Sequence, residues 1–260
     1  MAGKVEGKHI LITGATSGLG YAMAQALLAE GATVAVASRS AEKLDRAAAQ
    51  LRAVSERVVR VLLDVRSDAS VAQAAEWVGA HWGRLDVLIN NAGIGMRTIN
   101  PQALTRSQPF FEVDPARFRD LMDTNFTGYF LVSRAFAPMM VRQGRGRIIN
   151  ITMNFETMKR RGFVPYGPSR AAVESLSLIM AEDLKPYGIT VNRLLPGGAA
   201  DTGMIPDDPA LRAEITARTK LLDPAIMGKP VVFLCSDQAE GLTGERVVAV
   251  EFDAWLAARA

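Results

Sequence analysis

The chain has 260 residues, 49% hydrophobic and 22% charged, with a formal net charge of +3. This is an ordinary globular balance with enough apolar material for a full core, and Lys159-Arg160-Arg161 is too short a basic cluster for a nucleic-acid partner. A single cysteine, Cys235, excludes an intrachain disulfide, and neither His9 nor His81 has a partner at metal-ligand spacing, so no metal is expected. No apolar run is long enough for a bilayer and residues 1–8 lack the apolar core of a signal peptide; a soluble, cytoplasmic protein without a membrane partner is expected.

Residues 9–13 form a short, apolar, β-branched strand. Gly14-Ala15-Thr16-Ser17-Gly18-Leu19-Gly20 follows at once, and then apolar residues recur at helical spacing until Gly31. Alternation continues along the chain, with strands expected at 33–38, 58–63, 85–89, 147–152, 190–195 and 246–250. Helices are expected between them at 41–54, 69–82, 115–140, 166–185, 206–220 and 224–236, the third with Asp114 as N-cap and Pro115 in its first turn. Such alternation implies right-handed βαβ units. The expected fold is α/β: one doubly wound parallel sheet of about seven strands, helices on both faces, spanning 1–260 without a linker.

In such a sheet ligands bind at the carboxyl ends of the strands. The first turn places Gly14, Thr16, Ser17, Gly18, Leu19 and Gly20 there. Glycine admits a close backbone approach, and the helix start offers unpaired N–H groups to a phosphate, so a dinucleotide pyrophosphate is expected. The second strand ends without an acid, and Arg39 follows it; an arginine here pairs with a 2′-phosphate, which favours NADP(H) over NAD(H). Asp64-Val65 closes the third strand, where a carboxylate can accept from an adenine amino group. Asn90-Asn91-Ala92-Gly93 closes the fourth, where the amides can tie strands together and shape the pocket.

These pieces resemble the short-chain dehydrogenase/reductase family, whose fold is Rossmann-like. The family's glycine motif matches Thr13, Gly14, Gly18 and Gly20. Its adenine motif matches Asp64 and Val65, and its strand-four motif matches Asn90, Asn91, Ala92 and Gly93. Its helix asparagine matches Asn125, its tyrosine Tyr166, and its Pro-Gly turn Pro196 and Gly197. The resemblance implies hydride transfer between an alcohol/ketone pair and a nicotinamide. A tyrosine moves the proton, a lysine four residues on supports it and holds the ribose, a serine bonds the carbonyl, and the asparagine orders a water relay. Here Tyr166 and Asn125 are in place, Arg170 stands where the lysine belongs, and Met153 where the serine belongs. Arginine keeps the charge but cannot relay a proton. Methionine offers no donor, and Thr152 next to it points to the opposite strand face unless the strand curls; Asn154, past the strand, could reach back instead.

Long connections at 94–114 and 154–165 and a lid at 198–220 are expected to face a small-molecule carbonyl or alcohol. Arg97, Arg106, Lys159, Arg160 and Arg161 beside Phe110, Phe111 and Phe163 would suit an anionic one. The resemblance also implies a homodimer or homotetramer, for which Leu176, Ile179 and Met180 offer a face. Two alternatives stay open: a nucleotide-binding regulatory protein with little redox activity, and a non-redox enzyme on the same fold. Halohydrin dehalogenases carry a Ser–Tyr–Arg set, but they have lost the glycine motif that this chain keeps.

Overall fold

Seven parallel strands carry the molecule in the order β3-β2-β1-β4-β5-β6-β7. They are β1 (His9–Thr13), β2 (Thr33–Ser38), β3 (Val58–Leu62), β4 (Val87–Asn90), β5 (Gly146–Ile151), β6 (Ile189–Leu195) and β7 (Arg246–Val248). The computed structural model describes residues 3–103 and 105–259. The order reverses between β1 and β4, so their carboxyl ends flank the switch-point crevice of a doubly wound sheet.

Strands buried on both faces must be apolar on both, and β1 is an example: Ile10 and Ile12 point into one core, Leu11 into the other. The first core lies under α1 (Gly18–Ala29), α2 (Ala41–Leu51) and α9 (Gly228–Cys235), the second under α3 (Asp68–Trp82), α5 (Gly128–Gln143) and α7 (Tyr166–Leu184). Cys235 is fully enclosed in the first, and burial pushes its thiol up to about 12. It is an inert hydrophobe, as its apolar neighbours in sequence suggest.

A buried polar chain fixes the helices that bear the site. Asn90 Nδ2 donates to Asn150 Oδ1 (2.8 Å) and to Ser133 Oγ on α5 (2.9 Å). Asn150 Nδ2 donates to Ser177 Oγ on α7 (2.8 Å). The Nδ2 donors of both asparagines are paired, though Asn90 Oδ1 is enclosed without a partner, and these bonds specify one seating of α5 and α7 on the sheet. Glu174 does the same for the middle of α7, taking Arg193 (2.9 Å) and Arg246 (3.0 Å) from β6 and β7.

Three expectations need correction. The helix expected at 224–236 is a 3₁₀ turn at Pro224–Met227 followed by α9. The helix expected at 115–140 is three pieces: α4 (Pro115–Met122), a π turn at Asp123–Thr127, and α5. Asp114 does cap α4, accepting from Ala116 and Arg117. The last strand stops at Val248 rather than 250, and a 3₁₀ turn and α10 (Phe252–Ala257) follow. Phe252 is buried against the first core and stacks on Trp255, with centroids 5.9 Å apart. That burial, invisible to strand periodicity, ends the sheet. No helix among the described residues is long and apolar enough to cross a membrane. The remaining helices are α6 (Phe155–Met158) and α8 (Pro209–Arg218), the latter inside the expected lid.

Candidate active site

The crevice begins at the β1–α1 turn. Gly14 has φ +66°, and a Cβ there would come within 2.7 Å of Ala92 Cα. A Cβ on Gly20 would strike Asn91 Nδ2 and the Gly14 carbonyl. The turn therefore packs directly on the end of β4. Asn91 clamps the two together: its Nδ2 donates to Thr13 O (2.9 Å) and Gly14 O (3.1 Å), while Thr13 Oγ1 accepts from the Asn91 and Ala92 amides (both 3.0 Å). Ser17, in extended backbone, gives α1 no side-chain cap, and the first turn holds no acid. An uncapped, twelve-residue helix aimed over a glycine cradle fits a dinucleotide pyrophosphate. Thr202, from the segment after β6, closes over Gly18.

Beside that turn, at the carboxyl end of the neighbouring strand, Arg39 stands exposed just after β2. Asp64 is not free. Arg66 grips its carboxylate through Nη2 (2.7 Å) and Nε (3.0 Å), and reaches Asp120 with Nη1 (2.5 Å). These bonds hold the Asp64 carboxyl below the usual range against an opposing burial effect, and the charge of Arg39 adds to them. Arg66 is a residue that the sequence reading missed. Val65 is buried against Gly128 at the start of α5.

Tyr166 opens α7, half-buried, and Arg170 follows one turn later on the same face. Arg170 is only 3% exposed. Its Nη1 donates to the Tyr129 hydroxyl (2.8 Å) and to the Ile151 carbonyl (3.1 Å), and its Nη2 lies where a Cβ on Gly93 would stand. Its Cζ sits 5.4 Å from the ring centroids of both Tyr129 and Tyr166. Burial opposes the guanidinium charge, but the two tyrosines outweigh it, so the group is held charged. Burial pushes the Tyr129 hydroxyl up, opposed by Arg170, so Tyr129 stays a neutral phenol.

Asn125 sits in the π turn. The widened turn aims its amide at the loop after β4, where Nδ2 donates to Ile94 O (2.9 Å) and Oδ1 accepts from Ile94 N (2.8 Å). Met153 packs half-buried in an apolar cluster with Phe163, Leu121 and Tyr166. Its carbonyl accepts from Arg246 (2.8 Å). Thr152 offers no exposed donor in its place: the residue is 4% exposed and its hydroxyl is enclosed without a partner. Asn154 does not rescue it either, because its amide donates to Gly197 O (3.0 Å) and braces the Pro196-Gly197 turn. The Tyr166 hydroxyl meets Met204 Sδ at 3.9 Å. Met204 comes from the segment after β6, which is folded down by pairing of Ala200 with Leu222 and by an Arg212–Asp201 ion pair.

The sequence profile of the family described as short chain dehydrogenase matches residues 8–210. The chain belongs to that family. Gluconate 5-dehydrogenase of Gluconobacter oxydans (strain 621H) is 34% identical over 193 residues, 74% of this chain and 72% of that one. The 3-oxoacyl-acyl-carrier-protein reductase FabG of Escherichia coli (strain K12) is 32% identical over 245 residues, 92% and 94% of the two chains. A candidate NAD(P)-dependent gluconate 5-dehydrogenase from Beutenbergia cavernae, crystallised with NADP at low occupancy, superposes with a TM-score of 0.82 at 29% identity, covering 96% of this chain and 98% of that one. This chain is thus an oxidoreductase of the short-chain dehydrogenase type. Its sequence named Tyr166, Arg170 and Asn125, and the fold brings all three to the ends of β4 and β5. Tyr129 and Met204 went unnoticed. Tyr129 lies four residues past Asn125, but nothing in that spacing links it to position 170. Only the packing of α5 against α7 makes the pair.

Proposed function

We propose that this short-chain dehydrogenase interconverts an alcohol and a ketone by hydride transfer with NADP(H). One observation carries the reading. Tyr166, backed by a charged Arg170, stands at the same crevice as an uncapped helix over a glycine cradle. Gly14, Gly18, Gly20 and the α1 N–H groups would hold the pyrophosphate, and Arg39 would pair with a 2′-phosphate. The bound nicotinamide supplies or accepts the hydride. Tyr166 gives its proton to the carbonyl oxygen in reduction, and Arg170 stabilises the charge left on the phenolic oxygen. Arg170 never deprotonates, so the proton returns to Tyr166 from water rather than through residue 170. Asn125 holds the Ile94 backbone and with it the floor of the site.

Met153 places an apolar thioether where the resemblance implies a hydroxyl donor. Loss of one such donor costs about 10²–10³ in rate, so turnover is slow for an unactivated ketone. Arg97, Arg106 and Arg161 are exposed on the connections after β4 and β5, and their charge supports an anionic substrate. The name of the Gluconobacter relative, a gluconate enzyme, agrees with that charge. Assembly as a homodimer or homotetramer is supported by Leu178 and Ile179 on α7 and Phe130 on α5, all exposed; Met180, expected on that face, packs into the core instead.

Fluorescence titration with NADPH and NADH, followed by a ketone panel, tests the reading. NADPH binds the more tightly, at least one acidic ketone is reduced, and Arg39→Asp shifts the preference toward NADH. Binding without turnover would leave a nucleotide-binding protein, and an unchanged preference in Arg39→Asp would refute the role of Arg39.

A further inference from the structure

Arg170 does not occupy its site as a lysine would. A lysine presents one flexible point charge, whereas the guanidinium is a planar fork that needs partners in fixed directions. The structure supplies them from the interior. Nη1 spends its hydrogen bonds on Tyr129 Oη (2.8 Å) and Ile151 O (3.1 Å), and the Tyr129 hydroxyl closes the triangle by donating to the same carbonyl (3.2 Å). Tyr129 is 1% exposed, so its hydroxyl has no solvent to fall back on. The guanidinium carbon is equidistant, at 5.4 Å, from the Tyr129 and Tyr166 rings, and Gly93 leaves the space that Nη2 fills. The charged or titratable groups coupled to it are these two tyrosines. Asn125, on the π turn, is neutral, and Glu174, the next turn of α7, is neutralised by Arg193 and Arg246.

We propose that Tyr129 is the positioning residue for Arg170: its hydroxyl anchors the guanidinium beside Tyr166, and residues 129 and 170 work as one unit in place of a lone lysine. Without that anchor the fork is free to swing away from Tyr166, and the charge no longer sits where proton transfer leaves its own. The kinetic consequence rests on the hydride-transfer reading; the physical pairing does not.

A double-mutant cycle tests it, using the full chain, NADPH and the panel ketone with the highest turnover. Tyr129→Phe lowers kcat about tenfold and weakens the NADPH Kd by less than that, because the glycine turn and the α1 N-terminus, which carry the pyrophosphate, are untouched. In an Arg170→Lys background the same substitution changes kcat less than about twofold, since no fork remains to position. An equal fall in both backgrounds would overturn the proposal, as would an unchanged kcat in Tyr129→Phe. If no ketone turns over, the hydride-transfer reading fails, and thermal unfolding decides the pairing instead. Tyr129→Phe then lowers Tm in the Arg170 protein and not in Arg170→Met; equal lowering in both would overturn the pairing. If Tyr129→Phe does not fold, Tyr129→Met, an adaptable apolar side chain without the hydroxyl, takes its place in both arms.

Discussion

The two ends of the crevice are built by different means. At the nucleotide end, backbone does the work: a glycine turn too tight for any Cβ, an open helix start, and one amide, Asn91, holding β1 to β4. At the reacting end, side chains from four separate elements meet: Tyr166 and Arg170 from α7, Tyr129 from α5, Asn125 from the π turn and Met204 from the folded-down segment. Backbone geometry is all-or-none, because a Cβ either fits or does not. Side-chain constellations can be exchanged member by member, provided the partners change together. An intact nucleotide end joined to an altered reacting end is what that difference permits.

The contrast can be broken from either side. The largest effect is expected at Gly20. A Gly20→Val side chain has nowhere to go between Asn91 and the Gly14 carbonyl, so NADPH affinity falls by more than about a hundredfold, measured by fluorescence titration, and overpacking costs about 1–3 kcal/mol of stability. Next comes Met153→Ser. It restores a donor near Tyr166, and kcat for ketone reduction rises about tenfold or more, within the about 10²–10³ that such a donor is worth. Steady-state kinetics reads it, and an unchanged kcat would show that residue 153 does not face the carbonyl. The smallest effect belongs to Asp64. Its carboxyl is held below the unfolded value by Arg66, so the stability it contributes is full above about pH 4 and is lost as pH falls through the lowered value. Asp64→Asn should cost about 0.5–1 kcal/mol at neutral pH and flatten the acid limb of the unfolding profile, followed by urea titration at several pH values.

How much of this was legible beforehand follows the same division. The strands and the glycine turn were readable because period and backbone demand are local properties: β1, β2 and the cap Asp114 lie where the pattern puts them. The π turn was not, because its extra residue is invisible to helical spacing until Asn125 finds Ile94. Arg66 on Asp64 and Tyr129 on Arg170 were hidden for a related reason. In each case a position expected to meet a ligand meets a protein side chain first, and in the second the partner is 41 residues away. Thr152 differs: strand alternation turns it to the opposite face unless the strand curls, and its hydroxyl is enclosed without a partner.

The central claim is that the altered reacting end still moves hydride. Loss of nicotinamide absorbance on mixing the protein with NADPH and acidic ketones tests it most directly, with Tyr166→Phe run alongside. The account predicts turnover that falls by about 10²–10⁴ in Tyr166→Phe while NADPH still binds. Tight NADPH binding with no oxidation across the panel, or turnover indifferent to Tyr166→Phe, would contradict it.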